Sequence, residues 1–387
     1  MSTNRLWILY LVMFFRGLTN GILAPVLPLY LRSIGVGVLV WGLLVSVLGA
    51  AMISTEALWG FLSDKIGKGT VIVIGMLSMS LIAPSYTLTT WIPLLFILQF
   101  LSGAFGVAAG PASRALISDL APAQRLGVAM GLWYTSSMFG QIVGSILGTY
   151  IAAATTFAHP LYVCALSSTT GGLLTLVSLR RPSTHKGNRI EEPFFQSAKR
   201  MLTARPFQLA SALAVILIAE EILITAFLPV FAVELFEATP TDIGISLATF
   251  NTVCVAITLL LGRASDKFGR WLTVALGMIV CGFADLSYIS AASLAQMLLA
   301  TVAVAIGFSL VAPALLALLT DVTKPEEHGT AMGIYGVFED IGVMTGSLLY
   351  GYAWKSQGMT SIFYLSAALQ ATGAALTTKL RKTKKQT

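Results

Sequence analysis

Apolar residues in this chain come in long blocks, neither alternating nor confined to one helical stripe. Twelve such blocks run over residues 6–31, 39–61, 70–88, 92–117, 127–154, 159–180, 207–233, 241–263, 271–290, 293–320, 329–353 and 358–379. A helix needs roughly 20 apolar residues to cross the bilayer hydrocarbon. Lipid admits only helices and closed barrels, so blocks of this length exclude buried strands. The pattern predicts an all-α integral membrane protein of twelve transmembrane helices. One connector is long, polar and charged, and it splits the chain six and six: a bundle over 1–180, a linker over 181–206, and a bundle with a basic tail over 207–387. Within the linker, residues 194–205 place Phe194, Phe195 and Met201 among basic residues. They read either as a short helix on the membrane surface or as a solvated tether.

Composition agrees. The chain is 56% hydrophobic and 11% charged, against about 25% charged in soluble domains. There are too few charges to cover a soluble surface. The net charge of +7 suits a nucleic-acid binder, but its placement does not. Twenty-one Lys and Arg fall in the N-terminus, every second loop and the C-terminus, against Arg32 and Lys355 on the other side and Arg16 within a helix. This asymmetry predicts both termini in the cytoplasm and a multi-pass protein of the cell (inner) membrane. The apolar run after Met1 continues past Arg16 to Tyr30 without a small-residue cleavage site, so it reads as an uncleaved first helix. Cys164, Cys254 and Cys281 lie in apolar segments at no metal-site or disulfide spacing. No phosphate loop, nucleophile elbow or histidine–metal cluster appears, so no enzyme activity, cofactor or metal is expected.

The two halves repeat at an offset of 202 residues. Gly60-Phe-Leu-Ser-Asp64-Lys-Ile-Gly67-Lys68 becomes Gly262-Arg-Ala-Ser-Asp266-Lys-Phe-Gly269-Arg270. Pro111 and Asp119 become Pro313 and Asp321, and Gly140 and Gly144 become Gly342 and Gly346. Nine glycines coincide in all, where chance would give roughly one or two. With six helices each, the halves share one topology and relate by a pseudo-two-fold axis along the membrane normal.

The signature Gly60-x-Leu-x-Asp64-Lys-x-Gly67-Lys68, echoed after the eighth helix, resembles that of the major facilitator superfamily over essentially the whole chain. Physically, Gly60 and Gly262 permit close helix approach, and Gly67 and Gly269 allow a tight reversal. Asp64 and Asp266 can face a helix N-terminus or a basic residue. The resemblance implies that this loop latches the halves on the cytoplasmic side. Asp64, Lys68, Asp119 and Arg125 would form the charge network, with Asp266, Arg270 and Asp321 as a weaker copy.

Further motifs match in part. Pro25 and Pro28 resemble the family's first-helix pattern, and each bends a helix by freeing a carbonyl. Gly140-x-x-x-Gly144-Ser-x-x-Gly148 resembles the glycine-rich fifth helix of the antiporters, with Ser145 where they carry proline and Thr149 where they carry glycine. The same glycines also serve simple close packing. In the fourth helix, Gln99 stands where the family's arginine does, and Arg114 lies more than three turns later.

The resemblance points to drug/proton antiporters. The leading expectation is proton-coupled export of small amphipathic organic molecules by alternating access, with lipid, substrate and protons as partners and no nucleic acid or obligate protein. Import of a nutrient or metabolite is the alternative; a receptor or assembly protein on the same fold is a third. Arg16, Glu56, Glu220, Glu221, Asp285, Glu339 and Asp340 all fall within predicted helices. Each costs at least about 2.5–3.5 kcal/mol at the bilayer centre unless it pairs, faces a cavity or carries a proton. The resemblance implies that helices one, two, seven and eleven line the cavity and that helix nine, with Asp285, lies outside it. Adjacent acids point about 100° apart, so one of each pair faces the pathway. The expectation is that Glu220 or Glu221, with Glu339 or Asp340, exchanges protons, and that Arg16–Glu56 is a structural pair.

Overall fold

The computed structural model describes residues 2–122, 125–179, 194–261, 268–321, 323 and 328–383. Helix is the regular structure of the described residues, with no strand among them. In chain order the helices are α1 (Ser2–Ser33), α2 (Val38–Ile66), α3 (Lys68–Ser85), α4 (Ile92–Gly106), α5 (Ala109–Leu120), α6 (Leu126–Ala154) and α7 (Ala158–Ser178). Then come α8 (Phe194–Thr203), α9 (Arg205–Ile222), α10 (Leu228–Phe236), α11 (Pro240–Leu261), α12 (Arg270–Ile289), α13 (Leu294–Asp321), α14 (His328–Gln357) and α15 (Ser361–Thr383). With α4 and α5 as one crossing, α9 and α10 as another, and α8 set apart, they trace the twelve expected spans. Ten are long and apolar enough to cross a bilayer; α14 and α15 match them in length, at 30 and 23 residues. Leu81, Leu259 and Phe283 lie 72%, 76% and 70% exposed along these helices, which fits a lipid solvent rather than water.

Two spans are not straight ladders. Pro111 has no amide hydrogen for the Val107 carbonyl, and Gly110 N–H bonds that carbonyl instead at 3.2 Å. The fourth span breaks there into α4 and α5. Its counterpart Pro313 sits inside an unbroken α13. The seventh span carries a π-turn over Leu223–Phe227, just before Pro229. Turns of this kind often mark functional sites.

The chain divides into two compact units, Met1–Gly187 with Ala232–Ala248, and Asn188–Phe231 with Thr249–Thr387. Residues 232–248 thus belong to the first unit, although sequence order places them in the second half. Inside each unit the packing repeats. α1 packs on α6 and α7, and α3 on α7; α9 packs likewise on α14 and α15, and α12 on α15.

Glycine explains the closest of these contacts. A Cβ on Gly140 or Gly144 of α6 would collide with the Phe14 or Leu18 carbonyl of α1. In the second unit, a Cβ on Gly342 would lie 2.8 Å from Val215 O, and one on Gly346 2.9 Å from the Ala219 Cα. Gly148 meets Ile22 in the same way, at 2.8 Å. The fifth-helix glycines therefore serve backbone approach between α1 and α6. Gly60 faces open space, so no helix approaches it closely among the described residues. Gly67 and Gly269 have φ of 94° and 92°, the left-handed backbone that makes the α2–α3 reversal tight. Pro25 and Pro28 lie inside a continuous α1. The helix expected near 194–205 forms as α8, with Met201 buried against Phe207, Ala210 and Tyr335; that face packs on protein.

Candidate functional site

Three groups of charges lie on these elements. The first sits at the loops. Lys68 opens α3 and Asp119 lies near the end of α5, so each opposes its own helix dipole. They answer one another: Lys68 Nζ lies 2.6 Å from Asp119 Oδ2 and also donates to Ala115 O at 3.2 Å. Arg270 opens α12 and Asp321 closes α13, and Arg270 Nε donates to Asp321 Oδ2 at 3.1 Å. The second pair stands at the repeat offset from the first. Each ties neighbouring helices of its own unit. Asp64 and Arg125 are exposed, at the end of α2 and the N-cap of α6. Gly262 and Asp266 lie outside the described residues.

The second group lies within the membrane span of the first unit. Arg114 Nη2 on α5 reaches Glu56 Oε1 on α2 at 4.0 Å. Its guanidinium sits over the Trp133 ring, 5.9 Å from the centroid, and Trp133 Nε1 donates to Ser113 Oγ at 3.0 Å. The missing side chain of Gly110 makes room for Arg16, whose guanidinium would lie 3.5 Å from a Cβ there. Arg114, too far along the fourth span to replace the family arginine, thus supplies an ion-pair partner for Glu56, the role expected of Arg16. Gln99 is buried and accepts a hydrogen bond from Tyr86. At the repeat offset, Tyr288 OH donates to Thr301 Oγ1 at 2.9 Å.

The third group is acidic and lies in the second unit. Glu220 and Glu221, adjacent on α9, face different neighbours. Glu220 Oε2 accepts from Ser366 Oγ at 2.6 Å and from Gln370 Nε2 at 3.0 Å, both on α15. Asp285 of α12 lies within hydrogen-bond reach of Glu220. Both acids are fully buried. Glu221 is partly buried and lies near Cys254 of α11. On α14, Asp340 is buried, while Glu339 keeps accessible surface beside Tyr335. The adjacent acids thus differ as helical geometry requires, with Glu221 and Glu339 the more open of each pair.

Asp285, expected outside the cavity, is brought to Glu220. Sequence reading missed Ser366, Gln370 and Tyr350 in this cluster. A signal existed: Ser366 and Gln370 stand one turn apart on one face of a largely apolar helix.

The sequence profile described as "Major Facilitator Superfamily" matches residues 9–237 and 209–387. The chain belongs to this superfamily. It is a multi-pass membrane transporter, and the lipid bilayer and a small-molecule substrate are its partners. Multidrug resistance protein 1 of Bacillus subtilis is 25% identical over 96% of this chain and 95% of its own length. Quinolone resistance protein NorA of Staphylococcus aureus is 22% identical over 90% and 89%. The crystal structure of a bacterial homologue of the human lysosomal transporter Spinster, inward-facing and occupied, aligns with a TM-score of 0.83 at 14% identity, covering 97% of this chain and 96% of that one. That likeness fixes the superfamily fold.

Proposed function

We propose that this transporter works by alternating access and exports small amphipathic organic molecules in exchange for protons, from a cell (inner) membrane with both termini in the cytoplasm. The observation that carries the reading is the placement of Glu221 and Glu339, acids midway along membrane-spanning helices that keep accessible surface. A carrier of protons must be reachable, and burying an ionised carboxyl in the bilayer otherwise costs several kcal/mol. Full-length likeness to two drug-resistance proteins supports export and this substrate class. The test uses reconstituted protein with a pH-sensitive dye inside the liposomes. A lipophilic drug gradient drives proton movement in the wild type, and Glu221→Gln with Glu339→Gln abolishes it. Proton movement that persists when Asp340 is also neutralised overturns the coupling assignment.

One observation favours a second reading. Two arginines, Arg16 and Arg114, accompany one acid, Glu56, inside the first unit. An excess positive charge at that depth suits a substrate bearing an anionic group, and with it import of an organic anion. Counterflow measured in the same liposomes with anionic and cationic substrates separates the two.

A further inference from the structure

Arg16 is a charge without an answer. It lies midway along α1, about 21 Å from Ser2 and about 25 Å from Ser33 at the helical rise per residue. Its guanidinium fills the notch at Gly110, with Nη2 3.5 Å from where a Cβ would stand. It makes no hydrogen bond or ion pair among the described residues, and it keeps accessible surface. The charge that acts on it is Arg114, one turn after Gly110 on α5, and that charge has the same sign. Arg114 is already engaged by Glu56 and Trp133. The other acids of the unit are placed elsewhere. Asp119 answers Lys68, Glu234 answers Arg32 at 3.6 Å and Asp242 caps Thr239; Asp64 lies in the last turn of α2 and Glu237 in a loop. Two arginines and one carboxylate leave one positive charge, and a guanidinium does not shed its proton to remove it.

Asn20 stands one turn beyond Arg16 on the same face of α1. It is exposed and has no partner among the described residues. A polar side chain at that depth is costly against lipid, so this face of α1 meets water or a ligand. The repeat shows that the fold needs neither group. At the offset of 202 residues, Arg16 corresponds to Ile218, Asn20 to Ile222, Arg114 to Leu316 and Glu56 to Thr258. Ile218 and Ile222 keep partial exposure in the second unit, where α9 packs on α14 and α15 as α1 does on α6 and α7.

The planar fork of a guanidinium matches a carboxylate with two parallel N–H···O bonds, and the Asn20 amide adds a further donor. One carboxylate cancels the one surplus charge, whereas a dianion would leave a negative charge unpaired. We propose that Arg16 and Asn20 bind the single carboxylate of an amphipathic substrate, while Glu56 holds Arg114 apart from it. The assignment rests on the transport reading and names the charge of the substrate, whichever way it moves.

The test is equilibrium binding to the purified full-length protein of three probes with one ring system: naphthoate, naphthamide and naphthylmethylammonium. It needs no vesicle and no pH gradient. The wild type binds naphthoate about tenfold more tightly than naphthamide, and the cation most weakly. Arg16→Gln binds naphthoate and naphthamide alike. Arg16→Lys, which keeps the charge and loses the fork, retains a reduced preference, and Asn20→Ala narrows it. Glu56→Gln removes the opposing charge and tightens naphthoate binding several-fold, a readout that a merely structural Arg16 does not move and that stands even if Arg16→Gln fails to fold. Equal affinity of the wild type for naphthoate and naphthamide overturns the site, as does a preference retained in Arg16→Gln. Chloride that displaces naphthoate at equal concentration, with gluconate as the inert control, overturns the carboxylate assignment in favour of an inorganic anion. Absence of the preference beside intact drug-driven proton movement overturns this site alone; the reverse result supports it and removes the export reading alone.

Discussion

Lys68 and Asp119 show how a single ion pair can be worth more to a mechanism than to stability. Each sits at the end of a helix that disfavours its charge, so the pair first cancels two unfavourable dipole terms. Both are partly exposed, at 14% and 23%, and pairs in contact with water contribute about 0.2–1 kcal/mol. Asp119→Asn is therefore expected to leave the thermal midpoint within a few degrees of wild type while lowering the transport rate several-fold. Asp64→Asn is expected to slow transport sharply with expression intact. Initial rates in everted vesicles, beside thermal melts, check both; wild-type rates would remove the latch role of the loop.

At the scale of elements, glycine decides which helices touch. α1 and α6 approach until backbone meets backbone at Gly140 and Gly144, and the same residue type joins α9 to α14 at Gly342 and Gly346. Van der Waals packing of this kind drives helix association in lipid, where no hydrophobic force acts between helices. Gly144→Val forces the helices apart and is expected to cost about 1–3 kcal/mol, as overpacking does in other cores. Gly131 lies on the same helix but faces open space. Gly131→Ala is expected to be neutral or stabilising, because alanine is the better helix former by about 1 kcal/mol. Thermal melts of both variants check this, and equal losses would refute the packing account. The π-turn after Glu221 is the other local departure, and it shifts the helical register between Glu221 and the rest of the seventh span.

Across the whole molecule, one supersecondary plan carries two different electrostatic characters. Ion pairs at 68/119 and 270/321 and hydrogen bonds at 86/99 and 288/301 recur at the repeat offset. The intramembrane charges do not. Arg16 and Arg114 in the first unit correspond to Ile218 and Leu316, and Glu220 and Glu221 in the second to Leu18 and Thr19. The common plan builds the carrier, and the unshared charges give each unit its own task. Glu221→Thr, which grafts the residue of the first half, is accordingly expected to fold and to equilibrate substrate down its gradient without moving protons. Substrate flux and the internal pH dye, read together in liposomes, check it; intact proton coupling would refute it.

Sequence alone determined the fold class, the twelve spans and the family, because lipid leaves a chain no other way to satisfy its backbone and because the repeat and loop signature are local. It also flagged every buried acid among the described residues, since an Asp or Glu in an apolar run stands out whatever surrounds it. Partners were another matter. Helix rotation decides that Glu220 faces Ser366, 146 residues away, and that Glu221, one position on, faces α11 instead. The same cause brought Arg114 within ion-pair reach of Glu56, and gave Asp285, expected outside the cavity, its place beside Glu220. Such pairings depend on which faces of separate helices meet. That is set by glycine contacts, a proline break and a π-turn acting together, and only the tertiary structure contains their sum.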